Sequence, residues 1–234
     1  MELKVIAYAR NGHTDKFGIP RQSRDESPIL TRIVFEPEYR IAEALRGIEG
    51  YSHIWLIWKF SENRAQNTEH RAQTDNDWSP TVRPPRLGGN KRMGVFATRS
   101  PFRPNPIGLS SVKLIGIEDG DVIVSGADVL DGTPIYDLKP YLSFSDSHED
   151  ARNGFAEEYK DERLAVRGLE DEGICGLVDE RIRKDLTYIL AQDPRPGYQD
   201  DPEREYKLDY AGYTVTFCVN KQEVIVKKIE KMQK

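Results

Sequence analysis

Residues 81–110 read TVRPPRLGGNKRMGVFATRSPFRPNPIGLS, and this stretch sets the organisation of the whole chain. Its five Pro and four Gly exclude a regular helix, because Pro lacks the backbone N–H and fixes φ. The short run MGVFAT at residues 93–98 is typical of a strand. We therefore expect two rigid loops on either side of one buried strand. Loops held by a rigid scaffold often carry function.

The charge of this stretch is opposite to that of the whole protein. The chain of 234 residues has a formal net charge of -5, whereas residues 81–110 contain no Asp or Glu. Their basic side chains are those of Arg83, Arg86, Lys91, Arg92, Arg99 and Arg103. Positive charge concentrated on an acidic protein suggests an anionic ligand such as phosphate or RNA. The alternative is that Arg and Pro only stiffen an ordinary surface loop.

The segments on both sides of this stretch have the apolar patterns of β-strands. These patterns predict strands at residues 3–8, 31–36, 52–60, 111–118, 121–127 and about 135–142. The run at 52–60 is apolar enough for a central strand covered on both faces. One short amphipathic helix is expected at 42–48. Many short strands without βαβ alternation indicate a mainly β fold, an antiparallel barrel or a sandwich.

The composition changes after residue 142. Residues 143–163 are acidic and polar, and we expect them to bridge two domains. Residues 170–192 carry Leu and Ile at helical spacing, and a following Asp-Pro-Arg-Pro ends that helix. Closing strands are predicted at residues 206–208, 213–219 and 223–229. The sequence thus predicts a barrel domain at residues 1–145 and a small α+β domain at residues 146–234.

Several common functional sites have no signal in this sequence. It contains no GxGxxG motif opening a helix, no GxxxxGK[ST] loop and no GxSxG elbow. The His residues are scattered, and without a CxxC or HxxxH pair we expect no metal site. The apolar run at residues 53–58 is too short to span a bilayer. The N-terminus lacks the features of a signal peptide, so we expect a cytoplasmic protein with no membrane partner.

Two further loops share the character of the basic stretch. The loop KFGIPRQ at residues 16–22 offers the donors of its Arg and Gln, and DGTP at residues 131–134 forms a tight turn. After that turn Asp137, Lys139 and Tyr141 alternate, so on a strand they share one face. A carboxylate, an amine and a phenol on one face could orient a substrate or handle a proton. A structural ion pair at the barrel mouth explains this spacing equally well.

Three motifs together resemble one family. KFGIPRQ, TVRPPRLGGNKRMGVFATRSPFRPNPIGLS and DGTPIYDLKPY, in this order over about residues 1–142, resemble the TsaA/TrmO-like (YaeB) tRNA methyltransferases. The later segment AQDPRPGY adds further similarity. The resemblance implies a β-barrel S-adenosylmethionine enzyme, outside the Rossmann class, that acts as a homodimer. It also implies a tRNA partner and methylation of N6 of threonylcarbamoyladenosine beside the anticodon.

The resemblance also implies which residues form the site. Those carried over as cofactor contacts are Pro20, Arg21, Gln22, Ser61, Glu62, Arg99, Leu109, Asp131, Gly132, Thr133 and Pro134. Members of the family carry His-Gln where this chain has Ser61-Glu62, so the sequence departs from the pattern there. Candidates for contact with tRNA phosphate or the threonyl carboxylate are Arg83, Arg86, Arg92, Arg103 and Asn105. We expect Asp137, with Lys139 and Tyr141, to assist removal of the N6 proton.

Two other functions stay open at this point. A non-catalytic RNA-binding barrel would keep the basic loops, bind tRNA and have no affinity for the cofactor. A methyltransferase of the same fold could instead act on another nucleoside or a small molecule. The Ser61-Glu62 departure and the acidic net charge keep this second alternative open.

Overall fold

The computed structural model describes residues 2–60, 78–84, 91–158, 163–195, 199 and 201–232. Ser61, Glu62 and Arg86, which have predicted roles, lie outside these ranges. The first eight strands are β1 (Ala7–Arg10), β2 (Leu30–Phe35), β3 (His53–Lys59), β4 (Thr81–Val82), β5 (Met93–Gly94), β6 (Ile107–Glu118), β7 (Asp121–Ser125) and β8 (Pro134–Pro140). Among the described residues, no helix has the length and apolar character needed to cross a membrane.

Six of these strands close into a barrel in the order β1-β2-β7-β6-β3-β8. Every neighbouring pair in the ring is antiparallel. Closure pairs each strand on both sides, so this sheet has no open edge. The mainly β fold with an antiparallel barrel, expected from the sequence, is confirmed.

Strand β3 shows how alternation fills the barrel. Ile54, Leu56 and Trp58 point inward and are buried, and Ile54 lies opposite Val112 of β6. The intervening residues of β3, from His53 onward, are only partly buried. The expected cover on both faces is therefore complete only on the inner face. Trp55, on the outer face, lines the cavity described below.

The basic stretch contains less strand than its sequence predicts. Only Met93–Gly94 is extended and pairs with β4, and the chain then turns through a single 3-10 turn, Val95–Ala97. The N–H of Val95 donates to the carbonyl of Pro80 at 3.0 Å, and the hydroxyl of Thr98 donates to the Val95 carbonyl at 2.8 Å. These local bonds close the turn where a longer strand was expected.

The helix expected at residues 42–48 is replaced by two 3-10 turns, Ala42–Leu45 and Ile48–Gly50. Between them Gly47 has φ of 88°, a left-handed conformation that interrupts any helix. Neither turn contains a fully buried residue. A short helix without a buried face gains too little from packing to form.

The C-terminal part builds a second sheet. Its elements are α1 (Ser143–Asp146), β9 (Ala165–Arg167), α2 (Glu172–Cys175), α3 (Glu180–Ala191), β10 (Tyr206–Tyr210), β11 (Tyr213–Asn220) and β12 (Glu223–Lys231). The sheet order is β10-β11-β12-β9, and β9, which the sequence did not predict, runs parallel to β12. Helix α3 begins later than expected because Asp179 caps it, accepting the N–H of Ile182 at 2.8 Å.

Residues from the N-terminal half enter the core of this second sheet. Ile29 is buried there, and Phe17 packs against it. The carbonyl of Gly12 accepts the N–H of Ala211 at 2.8 Å. A Cβ on Gly12 would lie 2.6 Å from the Tyr210 ring, so only glycine allows this approach. The loop after β1 therefore joins the two parts, and the boundary between residues 145 and 146 stays a prediction.

Candidate active site

A cavity of about 710 Å³ lies at one end of the barrel. Strands β3 and β7 end there, and β6 and β8 begin there. Its walls come from the loop around residues 16–22, the segment 98–109 and the turn 128–133, with three aromatic residues in or just after β3. Segments far apart in the sequence thus meet at one site.

Six of the residues predicted to contact a cofactor line this cavity: Pro20, Arg21, Gln22, Arg99, Leu109 and Thr133. The guanidinium of Arg99 donates to the side-chain oxygen of Gln22, which ties the basic stretch to the first loop. Arg21 donates to the backbone carbonyl of Arg195 at 3.1 Å, so the C-terminal part also holds this loop.

Asp131, Gly132 and Pro134 are not among the lining residues. The Asp131 carboxylate accepts the backbone N–H of Asn11 at 3.0 Å and lies 3.7 Å from the Arg10 guanidinium. The N–H of Gly132, at φ of 78°, donates to the carbonyl of Ala9 at 2.8 Å. These bonds fix the turn against β1 and bring Thr133, which is buried, to the cavity wall.

The predicted RNA contacts divide between two places. Arg103 and Asn105 line the cavity, whereas Arg83 and Arg92 are exposed residues on or beside the β4–β5 ribbon. Arg103 donates to the carbonyl of Thr98 at 3.1 Å, and Arg92 donates to the Thr81 hydroxyl at 2.9 Å. The guanidinium of Arg103 also lies over the ring of Phe96, which is 73% exposed.

Asp137, Lys139 and Tyr141 lie outside the cavity lining. The Lys139 ammonium is 2.8 Å from the Asp137 carboxylate, so these two side chains share one face as the alternation predicts. Tyr141 packs against Trp55 with ring centroids 5.4 Å apart. This ion pair matches the structural alternative, and the role of the three residues in proton removal stays a prediction.

Asp128 is the site residue that the sequence did not reveal. It lines the cavity and accepts a hydrogen bond from the Ser110 hydroxyl. Ser110 in turn accepts the indole N–H of Trp58 at 2.9 Å. Burial raises the pKa of Asp128, while the Ser110 hydrogen bond, backbone amides and the charge of Arg99 act in the opposite direction.

A sequence signal for Asp128 did exist. It lies three residues after β7, whose residues are all buried, and an ionisable side chain in such surroundings is rare unless it has a partner. The preceding Gly126 has φ of 82°, and a Cβ there would lie 2.3 Å from the carbonyl oxygen of Arg24. Only glycine makes this turn, and the turn carries Asp128 to the cavity.

The floor of the cavity is aromatic. Trp55, Trp58, Phe60 and Phe102 line it, and the rings of Trp58 and Phe60 are tilted with centroids 4.3 Å apart. Trp58 lies directly over Gly108 of β6, where a Cβ would be only 2.1 Å from the indole. Aromatic rings lining a cavity can pack against a purine or another planar ring.

The cavity wall is mostly positive. Among the described lining residues the cations are Lys16, Arg21, Arg99 and Arg103, and the one carboxylate is Asp128. Within the same described ranges, no group of three or more His, Cys, Asp or Glu side chains is placed to hold a metal ion. The site therefore combines cations for an anionic ligand, an aromatic floor and one carboxylate.

Comparison with known protein families matches both parts of the chain. The profile of the tRNA-methyltransferase O N-terminal domain matches residues 8–147, and that of the TrmO C-terminal domain matches residues 178–232. A relative from Escherichia coli strain K12, named tRNA (adenine(37)-N6)-methyltransferase, is 38% identical over 210 residues, 86% of this chain and 85% of its own.

Two proteins of Pseudomonas aeruginosa are also similar. A putative S-adenosylmethionine-dependent methyltransferase RcsF is 40% identical over 217 residues, 87% of this chain and 86% of its own. The crystal structure of TrmO from this organism superposes with a TM-score of 0.76 at 30% identity, covering 98% of both chains.

Proposed function

Because this chain belongs to the tRNA-methyltransferase O family, we propose that it transfers a methyl group from S-adenosylmethionine to N6 of threonylcarbamoyladenosine beside the anticodon of a tRNA. The observation that carries this proposal is the meeting of three predicted loops at one cavity. The names of the relatives support tRNA adenine as the acceptor and S-adenosylmethionine as the donor. The threonylcarbamoyl group is the part that rests on the motifs alone.

The lining residues fit S-adenosylmethionine. A cavity of about 710 Å³ has the size of sites that enclose small molecules. The rings of Trp58, Phe60 and Phe102 offer surfaces for an adenine or a sulfonium cation. Arg21 and Arg99 supply donors for its carboxylate or hydroxyl groups. When bound, this cofactor supplies a methyl group on a positively charged sulfur that leaves as a neutral thioether.

The positive charges suit a tRNA. Arg103 at the cavity and Arg83 and Arg92 on the ribbon form a basic surface on a chain of net charge -5. Phosphate contacts of this kind supply most of the affinity of a nucleic-acid site. The exposed ring of Phe96, next to Arg103, adds an aromatic surface of the type on which unpaired bases stack. Arg103 and Asn105 are our candidates for the threonyl carboxylate.

We also propose that the protein acts as a homodimer in the cytoplasm, where its tRNA substrate is found. Ile107 and Leu109 on β6, beside the cavity, are 39% and 55% exposed. Large apolar side chains at a site entrance suit coverage by a second copy of the chain. Light scattering on the purified protein should give the mass of a dimer, and Leu109→Glu should shift it toward the monomer. A monomer at every protein concentration would reject this part of the proposal.

The function is tested by incubating the purified protein with labelled S-adenosylmethionine and tRNA that carries or lacks the threonylcarbamoyl group. We expect label only in the modified tRNA, and mass analysis of digested nucleosides should place one added methyl on threonylcarbamoyladenosine. Label in another nucleoside would support the same-fold methyltransferase with a different acceptor. Binding of tRNA without transfer, and without affinity for the donor, would support the non-catalytic barrel.

A further inference from the structure

The Asp128 carboxylate is held in a fixed orientation by two side chains of the barrel interior. Indole nitrogen can only donate, so the Ser110 oxygen must accept from Trp58 at 2.9 Å. The hydroxyl hydrogen of Ser110 is then directed to the Oδ1 atom of Asp128. Ser110 and Trp58 are both buried, so the two hydrogen bonds that lead from Trp58 to Asp128 are held rigidly. Such support is typical of a group whose direction matters for chemistry.

The groups that face Asp128 come from several elements. Arg99, in the basic stretch, exerts the electrostatic influence of a nearby cation, and the backbone amide of Ser23 donates to the carboxylate from the first loop. Lys16, Arg21 and Arg103 line the same cavity. No second carboxylate is found among the lining residues that the structure describes. Asp128 is thus the strongest proton acceptor on this wall in its charged form.

We propose that Asp128 is the general base that takes the proton lost by N6 of the acceptor adenine. The inference rests on the function proposed above. The carbon–sulfur bond of the sulfonium breaks and its electron pair stays on sulfur. The N6 lone pair forms the new bond to the methyl carbon, and the N6–H bond breaks with its proton going to Asp128. The carboxylic acid formed then releases that proton to water, so charge and atoms balance.

The chemistry needs only a moderate base at this position. As the nitrogen–carbon bond forms, N6 gains positive charge and its hydrogen becomes acidic, so a carboxylate is strong enough to accept it. Burial raises the pKa of Asp128, so its carboxylate is a better proton acceptor than one at the surface. Above that pKa the side chain is ionised and can accept the proton. Asp137, tied to Lys139 outside the cavity, lacks these features.

The decisive comparison is Asp128→Asn against Asp137→Asn, both measured in the full chain. Single-turnover methyl transfer is followed at saturating donor and tRNA, and donor affinity is measured separately by calorimetry. We expect Asp128→Asn to lose about 100-fold or more of the rate, with the donor Kd changed less than about threefold. Asp137→Asn, at the other candidate base, should lower the rate far less than Asp128→Asn does. The reverse pattern would return the base to Asp137.

The pH profile separates a base from a merely structural residue. The wild-type rate should fall as pH drops through the pKa of Asp128, because the protonated acid cannot accept a proton. Ser110→Ala removes a hydrogen bond to the charged form, so this acidic limb should move to higher pH and activity should recover in alkali. A Ser110→Ala profile that is lowered uniformly at every pH would overturn the proposal.

Two further outcomes would contradict the proposal in different ways. If Asp128→Asn instead raises the donor Kd more than about tenfold and keeps the methyl-transfer rate at saturating donor, Asp128 holds the cofactor and the proposal is wrong. If the wild-type protein transfers no methyl group to any tRNA, the proposed function fails first, and the role of Asp128 fails with it. Circular dichroism of each variant guards against unfolding, and Ser110→Ala decides the question if Asp128→Asn does not fold.

Discussion

Replacing Gly108 by Ala tests whether the aromatic floor of the cavity depends on close contact between β3 and β6. A Cβ at Gly108 would lie 2.1 Å from Cε2 of Trp58 and 2.4 Å from two neighbouring ring atoms. The indole would have to move by roughly 1.3 Å to reach ordinary contact. It is only 6% exposed and donates to Ser110, so the ring can move away from the new methyl only by losing that bond or by entering the cavity.

We expect Gly108→Ala to lower the free energy of unfolding by about 1–3 kcal/mol, the usual range for overpacking a filled core. Displacing the ring also breaks its hydrogen bond to Ser110 and deforms the cavity floor. Donor affinity should therefore fall together with stability. Urea denaturation gives the first quantity, and calorimetry with S-adenosylmethionine gives the second.

Gly116→Ala is the matched control, because it lies on the same strand and a Cβ there would meet nothing within 4 Å. It should leave both quantities unchanged. Trp58→Leu in the Gly108→Ala background should recover part of the lost stability, since the smaller side chain relieves the collision. Equal stability and equal donor affinity for the two alanine variants would refute this account of the floor.

Four other perturbations follow from described contacts. Gly126→Ala should lower the free energy of unfolding by more than about 2 kcal/mol, because its Cβ would collide with the Arg24 carbonyl. Gly47→Ala, at a similar φ in open space, should lose only about 1–2 kcal/mol, the cost of a left-handed conformation. Equal losses for the two variants in urea denaturation would rule out the collision. Burial lowers the pKa of His13 from 6.5 to about 4. Below pH 6.5 the unfolded chain therefore takes up a proton that the folded chain does not, and stability should fall by up to about 3 kcal/mol on going to pH 4. His13→Gln should flatten that slope, while the exposed His148→Gln should leave it unchanged. Tyr210→Phe removes the hydrogen bond of 2.8 Å to the buried Asp185 and should cost about 1–3 kcal/mol by thermal melting; no loss would mean that water replaces the phenol. Arg83→Glu should weaken tRNA binding and reduce the salt slope of the affinity by about 1, whereas Lys227→Glu on the C-terminal sheet should do neither.

Local pattern was sufficient to predict most strands of the barrel. The alternation of β2 and β3 is a property of neighbouring residues, and it appears directly as inward and outward faces. The order of the strands around the barrel was not predictable in this way. Pairing β3 with both β6 and β8 depends on the curvature of the whole sheet and on closure, which no local window contains.

The candidate site residues rest on the family resemblance, and their roles stay predictions. Arg21, Arg99 and Thr133, carried over from that resemblance, line the cavity in loops bent by Pro and Gly. Asp128 was missed because the hydrogen bonds that hold it involve Ser110 and Trp58 on other strands, which no local window contains. Asp131 was also carried over from the resemblance, and its carboxylate accepts the Asn11 N–H and lies 3.7 Å from the Arg10 guanidinium.

The C-terminal motif AQDPRPGY acquires a physical role from its contact with the cavity loop. Asp193, at φ of 49°, ends α3 and binds the Arg195 guanidinium through bonds of 2.8 and 2.9 Å. This fixes the carbonyl of Arg195, which accepts a hydrogen bond from Arg21 at the cavity wall. The position of Arg21 therefore depends on residues beyond the predicted barrel boundary. It follows that residues 1–145 alone lack a support of the cavity wall, even if their strands can close the barrel.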